Sequence, residues 1–180
     1  MGGKWLEVLK ETAPQLTRVM ALLHPETPSH QEFWRAIEAA APRLAVEVTS
    51  GSVHDASEIE RTISVFAANE NAGLVILPHA VTIVNRDLII ALTLRHRMPA
   101  INGDPSSVTA GALVFYGFDL KDSFQHTAEY VDRILRGENP ADLPVQQPTK
   151  LKLAFNLQTA RVIGLNIPPN VLARADEVIE

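Results

Sequence analysis

The sequence predicts an α/β protein in which an open, mostly parallel sheet is wrapped by helices. Three observations predict it. Apolar runs bounded by turn residues alternate with segments of helical period. The runs are short and nearly continuous, as strands covered on both faces are. Ser, Asp or Asn stands where several of the helical segments open, which marks their starts. With 46% apolar and 21% charged residues over 180 positions, the chain is typical of globular proteins and long enough for one full domain with a core of its own.

The elements follow in order. Lys4 to Ala13 carries Trp5, Val8 and Leu9 on one side of a helix that stops at Pro14, which has no N–H to continue it. Arg18 to Leu23 reads as a buried strand. Ser29 and Glu32 stand at capping-box spacing ahead of Phe33, Ile37, Ala40 and Leu44, so a helix is expected to start at Ser29. Val46 and Val48 alternate with polar neighbours in a second strand. Asp55 and Glu58 repeat the box before Ile59, Ile63 and Phe66, in a helix reaching about Asn69. Leu74 to Leu77 is a third strand, Asp87 to His96 a helix and Pro99 to Ile101 a fourth strand. These four strand-helix units are Rossmann-like. Ala112 to Tyr116 is a further strand, and Ser123 to Leu135 an amphipathic helix closed by Gly137 in the left-handed conformation. A proline-rich stretch from Pro140 to Pro148 reads as an extended crossing segment. Leu151 to Phe155 is the last strand, Asn156 caps a short helix ending at Gly164, and Pro168-Pro169 leads into an acidic turn.

A net charge of −5 with scattered Lys and Arg lacks the basic stripe that nucleic-acid binding draws on, so no nucleic-acid partner is expected. No apolar run approaches a membrane span. Zero cysteines exclude thiol catalysis, disulfides and thiolate metal sites. Neither GxGxxG nor GxxxxGK[ST] occurs, nor GxSxG or HExxH, so phosphate loops and the two most readable hydrolase mechanisms are without carriers. No cofactor is implied.

By the rule that open α/β sheets bind ligands beyond their strand C-termini, His24, His79 and Asp104 are expected at that edge. A metal or acid-base cluster there is conceivable. The simpler reading is exposed loop residues, because no ligand-spacing motif joins them, and no metal ligands are assigned. His30, His54, His96 and His126 read as solvent-facing. Trp5 and Trp34 read as packing residues. Tyr116, beside Gly117 at a strand end, fits either ligand contact or packing.

Three stretches then carry a resemblance. GALVFYG at Gly111 to Gly117, ILRGENPADLPVQQPTK at Ile134 to Lys150 and LAFNLQTARVIGLNIPPNVLARADEVIE at Leu153 to Glu180 closely resemble the ABC-transporter substrate-binding family, whose members include aromatic amino acid binders. KWLEVLKETAPQLTRVMALLHPETPSHQEFW, from Lys4, resembles the same family's entry into its second lobe. The resemblance implies a type I periplasmic binding protein-like fold whose N-terminal lobe is missing here. It implies a Rossmann-like C-terminal lobe over residues 1–110, a hinge-crossing strand, helix and extended segment over 111–150, and a strand and helix returning to the lobe over 151–180.

It further implies a small solute such as an amino acid, held without chemistry, and an ABC permease as partner. The ligand-facing positions carried over are His24, Pro25, Thr27, Ser29, His79, Asn102, Asp104 and Tyr116. The family's first loop usually has Asn-Pro and later Asn-Ser, where this chain has His24-Pro25 and Pro28-Ser29. Its third loop often has Asp where His79 stands, so the departures fall at ligand-facing positions and the resemblance does not name the solute. A helix opening at Ser29 suits a solute carboxylate.

In the family the helix from Ser123 to Leu135 returns to the first lobe. Its apolar face of Phe124, Ala128, Val131 and Leu135, with Phe115 and Phe118 nearby, is therefore expected to meet water. Each large side chain left there costs about 1.5–3 kcal/mol. Self-association into a homodimer, with exchange of the tail between protomers, is the expected remedy. The family is periplasmic. The start Met1-Gly2-Gly3-Lys4-Trp5 lacks the apolar stretch of a secretory signal, so a chain beginning natively at Met1 is expected in the cytoplasm. Two other readings share the fold: a ligand-sensing or oligomerisation domain with no transport role, and a small enzyme built on His24, His79 and Asp104.

Overall fold

The run Arg18–Leu23 (β1) shows how the sequence builds two cores at once. Val19, Ala21 and Leu23 face one side of the sheet while Met20 and Leu22 face the other, the two-residue period of a strand buried on both faces. The computed structural model describes all 180 residues, Met1–Glu180. On the first face lie α1 (Gly2–Thr12) and α2 (Pro28–Ala40), contributing Trp5, Leu6, Leu9 and Ile37. On the second lie α3 (Ala56–Phe66) and α5 (Arg86–Arg95), contributing Ile59, Ile63, Ile89 and Leu92.

The sheet has seven strands in the order β2-β1-β3-β4-β5-β6-β7. They are β2 (Glu47–Ser52), β1, β3 (Ala72–Ile76), β4 (Ala100–Asn102), β5 (Val114–Phe118), β6 (Leu151–Asn156) and β7 (Glu177–Ile179). All neighbours are parallel except β5 and β6, which pair antiparallel from Val114↔Phe155 to Phe118↔Leu151. The α/β reading and its parallel sheet are thus observed. Short helices α4 (Ala80–Val84) and α6 (Ser106–Thr109) follow β3 and β4, in stretches where too few residues recur to show a period.

Local chemistry accounts for the ends. Asp55 accepts from the Glu58 N–H and opens α3 as its capping residue. Asn156 does the same for α8 (Leu157–Ile163) through the Thr159 N–H, and Gly164 closes it at φ +73°, a conformation open to glycine. The start expected at Ser29 is corrected. Pro28 occupies the first helical position, where a missing N–H removes nothing, so α2 begins one residue earlier and Thr27 holds the N-cap position without a side-chain bond. Ser29 lies inside the first turn, exposed.

The acidic turn expected at the end is also corrected. A four-residue helix, α9 (Pro169–Leu172), leads into β7, which pairs with β6 from Ala154↔Glu177 to Asn156↔Ile179. Asp176 fixes the approach by accepting the Leu153 N–H at 2.8 Å, and Arg174 reaches Glu11 of α1 at 2.8 Å. A three-residue strand flanked by acids has no pattern to read. The open edge of β6 makes it a strand.

Between β5 and β6 runs α7 (Leu120–Leu135), capped by Asp119 through the Lys121 and Asp122 N–H groups and closed before Gly137 at φ +99°. None of its residues is buried, and none from Phe118 to Lys150 is. Phe124, Val131 and Leu135 stand in water at 70%, 50% and 82% exposure, with Phe118 and Ala128 also exposed. Phe115 does not join them. It points to the opposite side from Val114 and is buried at 1% between Val108 and Ala154, so its place in an exposed interface is corrected.

Candidate functional site

The chain leaves β1 for β2 on one side and then crosses to β3 on the other, so the sheet's topological switch point lies between β1 and β3. Ligands of open α/β sheets bind in the crevice that such a reversal leaves at the strand C-termini. Register decides what stands there. Leu23↔Ser52 and Leu22↔Ile76 align the three strand ends, placing the loops that carry His24, His54 and His79 side by side.

His24 and His79 flank the switch point and stack, ring centroids 4.3 Å apart and planes 23° from parallel. His79 is also the N-cap of α4: its Nδ1 accepts the Val81 N–H at 3.2 Å, while its own N–H donates to Thr82 Oγ1 at 3.1 Å. Burial, then the neighbouring His24 and His30, push the His79 imidazole below its ordinary range. A neutral ring there stacks and accepts without repelling its neighbours.

His30 corrects the expectation of a solvent-facing side chain: it is 0% exposed. Its Nδ1 lies 2.9 Å from the His24 backbone N–H and its Nε2 3.3 Å from the Pro78 carbonyl oxygen. The ring thereby ties the first loop to the third. His54 is exposed, yet it is engaged on both nitrogens. Nδ1 lies 2.8 Å from Glu58 Oε2 and Nε2 3.1 Å from Glu26 Oε1, while Glu26 Oε2 reaches His24 Nδ1 at 3.1 Å. The Glu58 contact, then that of Glu26, raises His54 above the ordinary imidazole range, and the same hydrogen bonds hold Glu58 and Glu26 below the usual carboxylate range.

The remaining expected residues divide. Pro25 and Thr27 sit half-buried in the first loop. Asn102 is buried at the end of β4, and Gly103 beside it leaves no room for a Cβ, which would stand 2.9 Å from Pro78 and 3.0 Å from the Trp5 ring. Tyr116 is half-buried against the larger core, and its carbonyl accepts the Trp5 indole N–H at 2.6 Å. Asp104 does not join the histidines. Its carboxylate accepts from Ser106, at 3.2 Å from the backbone and 2.7 Å from the hydroxyl, closing a local turn. The acid-base trio His24, His79 and Asp104 is therefore not assembled.

Glu26, His30, His54 and Glu58 belong to this edge and were missed by sequence reasoning. The available signal was position: His54 follows the end of β2 just as His24 and His79 follow theirs. A groove of about 210 Å³ lies elsewhere, between α7 and Gln146, Gln147 and Pro148, and contains none of these residues.

A parallel sheet covered on both faces, with its switch point opening on a polar edge, is the three-layer α/β lobe of periplasmic-binding-protein-like folds. The sequence over residues 3–179 matches the family of ABC transporter substrate binding proteins, and the chain belongs to that family. It is similar to a tyrosine-binding protein of Clostridioides difficile, 18% identical over 162 residues, 90% of this chain and 47% of the relative. Among solved structures it is similar to a conserved domain protein of Vibrio cholerae, with a TM-score of 0.84 and 22% identity over 98% of this chain and 60% of that one. A Streptococcus pneumonia ABC domain in complex with L-Trp matches with a TM-score of 0.84 and 21% identity, over 99% of this chain and 62% of the other. The chain thus spans about half to three fifths of the relatives it matches, and the structural likeness is one of fold. No helix is long and apolar enough to cross a membrane.

Proposed function

We propose that this chain is a solute-binding lobe of an ABC-type importer, and that its strand-end edge forms one wall of a cleft for a small solute of the amino acid class. The observation that carries the reading is the switch point itself, where the rings of His24 and His79 stack at the strand ends, with Asn102 buried at the end of the neighbouring β4 and Tyr116 half-buried on β5 beyond it. Pro25 and Thr27 shape the first loop, Ser29 lies in the first turn of α2, and Asp104 fixes the loop after β4. The tyrosine-binding and L-Trp-binding relatives support an amino acid as solute. Binding proceeds without chemistry, outside the cytoplasmic membrane, and a permease reads the bound state.

Residues 1–118, with β5 inside the sheet, and 151–180 form the lobe in this reading, and 119–150 cross to the part of the relatives that this chain does not span. The exposed face of α7 packs there, or against a second copy when that part is absent. A thermal-shift screen against the amino acids tests solute binding. An aromatic or other amino acid is expected to raise Tm by more than about 4 °C, and His79→Ala to abolish the shift. No shift with any amino acid, for this chain or for it paired with the remaining length of such relatives, sinks the reading.

A further inference from the structure

Beside His24 of the proposed cleft stand two side chains, Glu26 and His54, that the solute reading leaves unused. His24 Nδ1, a Glu26 carboxylate oxygen and His54 Nε2 all lie within 4.8 Å of one another. We propose that these three side chains form a divalent-metal site of the zinc class, His24 binding through Nδ1, His54 through Nε2 and Glu26 through its carboxylate.

The donor set is the first reason. Two imidazoles and one carboxylate are a recurrent three-ligand set for Zn²⁺, leaving a fourth position for water or a solute group. Spacing is the second. Metal–ligand bonds of about 2.0–2.2 Å in a tetrahedron separate ligand atoms by about 3.4 Å. Glu26 meets the two imidazoles with different oxygens, Oε2 standing 3.1 Å from His24 Nδ1 and Oε1 3.1 Å from His54 Nε2, so rotation of these side chains about one ion brings the three donors to that spacing. The third reason is orientation. Glu58 accepts at 2.8 Å from the other nitrogen of His54, the carboxylate–histidine arrangement that fixes a metal-binding ring and strengthens it as a donor.

The backbone supports the same geometry. His24 and His54 leave adjacent parallel strands joined in register, the Val53 N–H donating to Leu23 O at 3.0 Å just before the two loops begin. Behind His24 stands the His79 ring. The ordinary alternative is a surface network of imidazole and carboxylate held by hydrogen bonds alone, with no affinity for an ion.

Calorimetric titration of ZnCl₂ into the tag-free chain, in a non-chelating buffer near neutral pH, separates the two. One ion per chain is expected. His54→Ala and Glu26→Ala should each weaken binding at least about tenfold, and Glu58→Gln by about 10- to 100-fold. His126→Ala, which removes an exposed imidazole on α7 near Asp122, should leave it unchanged. Both Glu26 and His54 are exposed, so their replacement leaves the fold intact, and NMR should show zinc moving the His24 and His54 ring signals but not those of His126. No saturable uptake up to about 0.1 mM zinc, or uptake indifferent to His54→Ala and Glu26→Ala, overturns the site. The titration contains no amino acid, so its failure leaves the solute reading standing, and the reverse holds.

Discussion

The sheet and α7 are held by different forces. Strands β1, β3, β4, β5 and β6 bury side chains against helices or neighbouring strands, whereas α7 is an amphipathic helix of 16 residues with no buried residue. Burial holds the first region. Local bonds hold the second: the Asp119 cap, the Lys150–Asp119 pair at 3.3 Å, the Arg136–Asp132 pair at 3.0 Å and the Arg133–Glu138 pair. The contrast teaches that α7 is specified by its own sequence and buries no residue against the lobe.

Substitutions break or sharpen this contrast, the largest effect first. Phe155→Ala empties a fully buried site in the larger core and is expected to cost about 3–5 kcal/mol in urea unfolding. Asn156→Ala removes both the cap of α8 and a bond to the Val108 carbonyl at 3.2 Å, inside the buried β5–β6 region, for about 1–3 kcal/mol by the same measurement. Leu135→Ala on α7 should change stability by no more than about 0.5 kcal/mol despite deleting a large apolar group, because that group is already in water. A cost comparable to that of Phe155→Ala would mean α7 is covered, and light scattering would show by what.

Acid probes the smallest term. Desolvation pushes the Asp119 carboxyl up, but the Lys150 contact and the Asp122 and Lys121 N–H groups together outweigh it and hold the group below its usual value. A carboxylate depressed in the folded state stabilises it above the unfolded pKa, and that contribution is lost as pH falls through the folded value. Amide exchange should therefore show α7 losing protection on acidification before β1 and β3 do.

Much of this molecule was legible in sequence because the relevant forces are local. Arg18–Leu23 was read with its observed bounds, Asp55 and Asn156 as the caps they are, and Gly137 and Gly164 as the glycines that end helices. The Ser29 start failed because Pro28 makes an equally local but opposing demand. Phe115 failed because a strand residue faces inward or outward according to register, and one position separates Val114 in one core from Phe115 in another.

The amino-acid sequence by itself determined the class, the order of the longer strands and helices and the amphipathic face of α7, since periodicity and capping act over a few residues. Only the tertiary structure decided that β3 lies against β1 instead of β2, that Glu177–Ile179 becomes a strand and that His24, His30, His54 and His79 meet at one edge. Those residues are brought together by strand pairing between distant segments, and the register of that pairing leaves no mark in the local spacing of the chain.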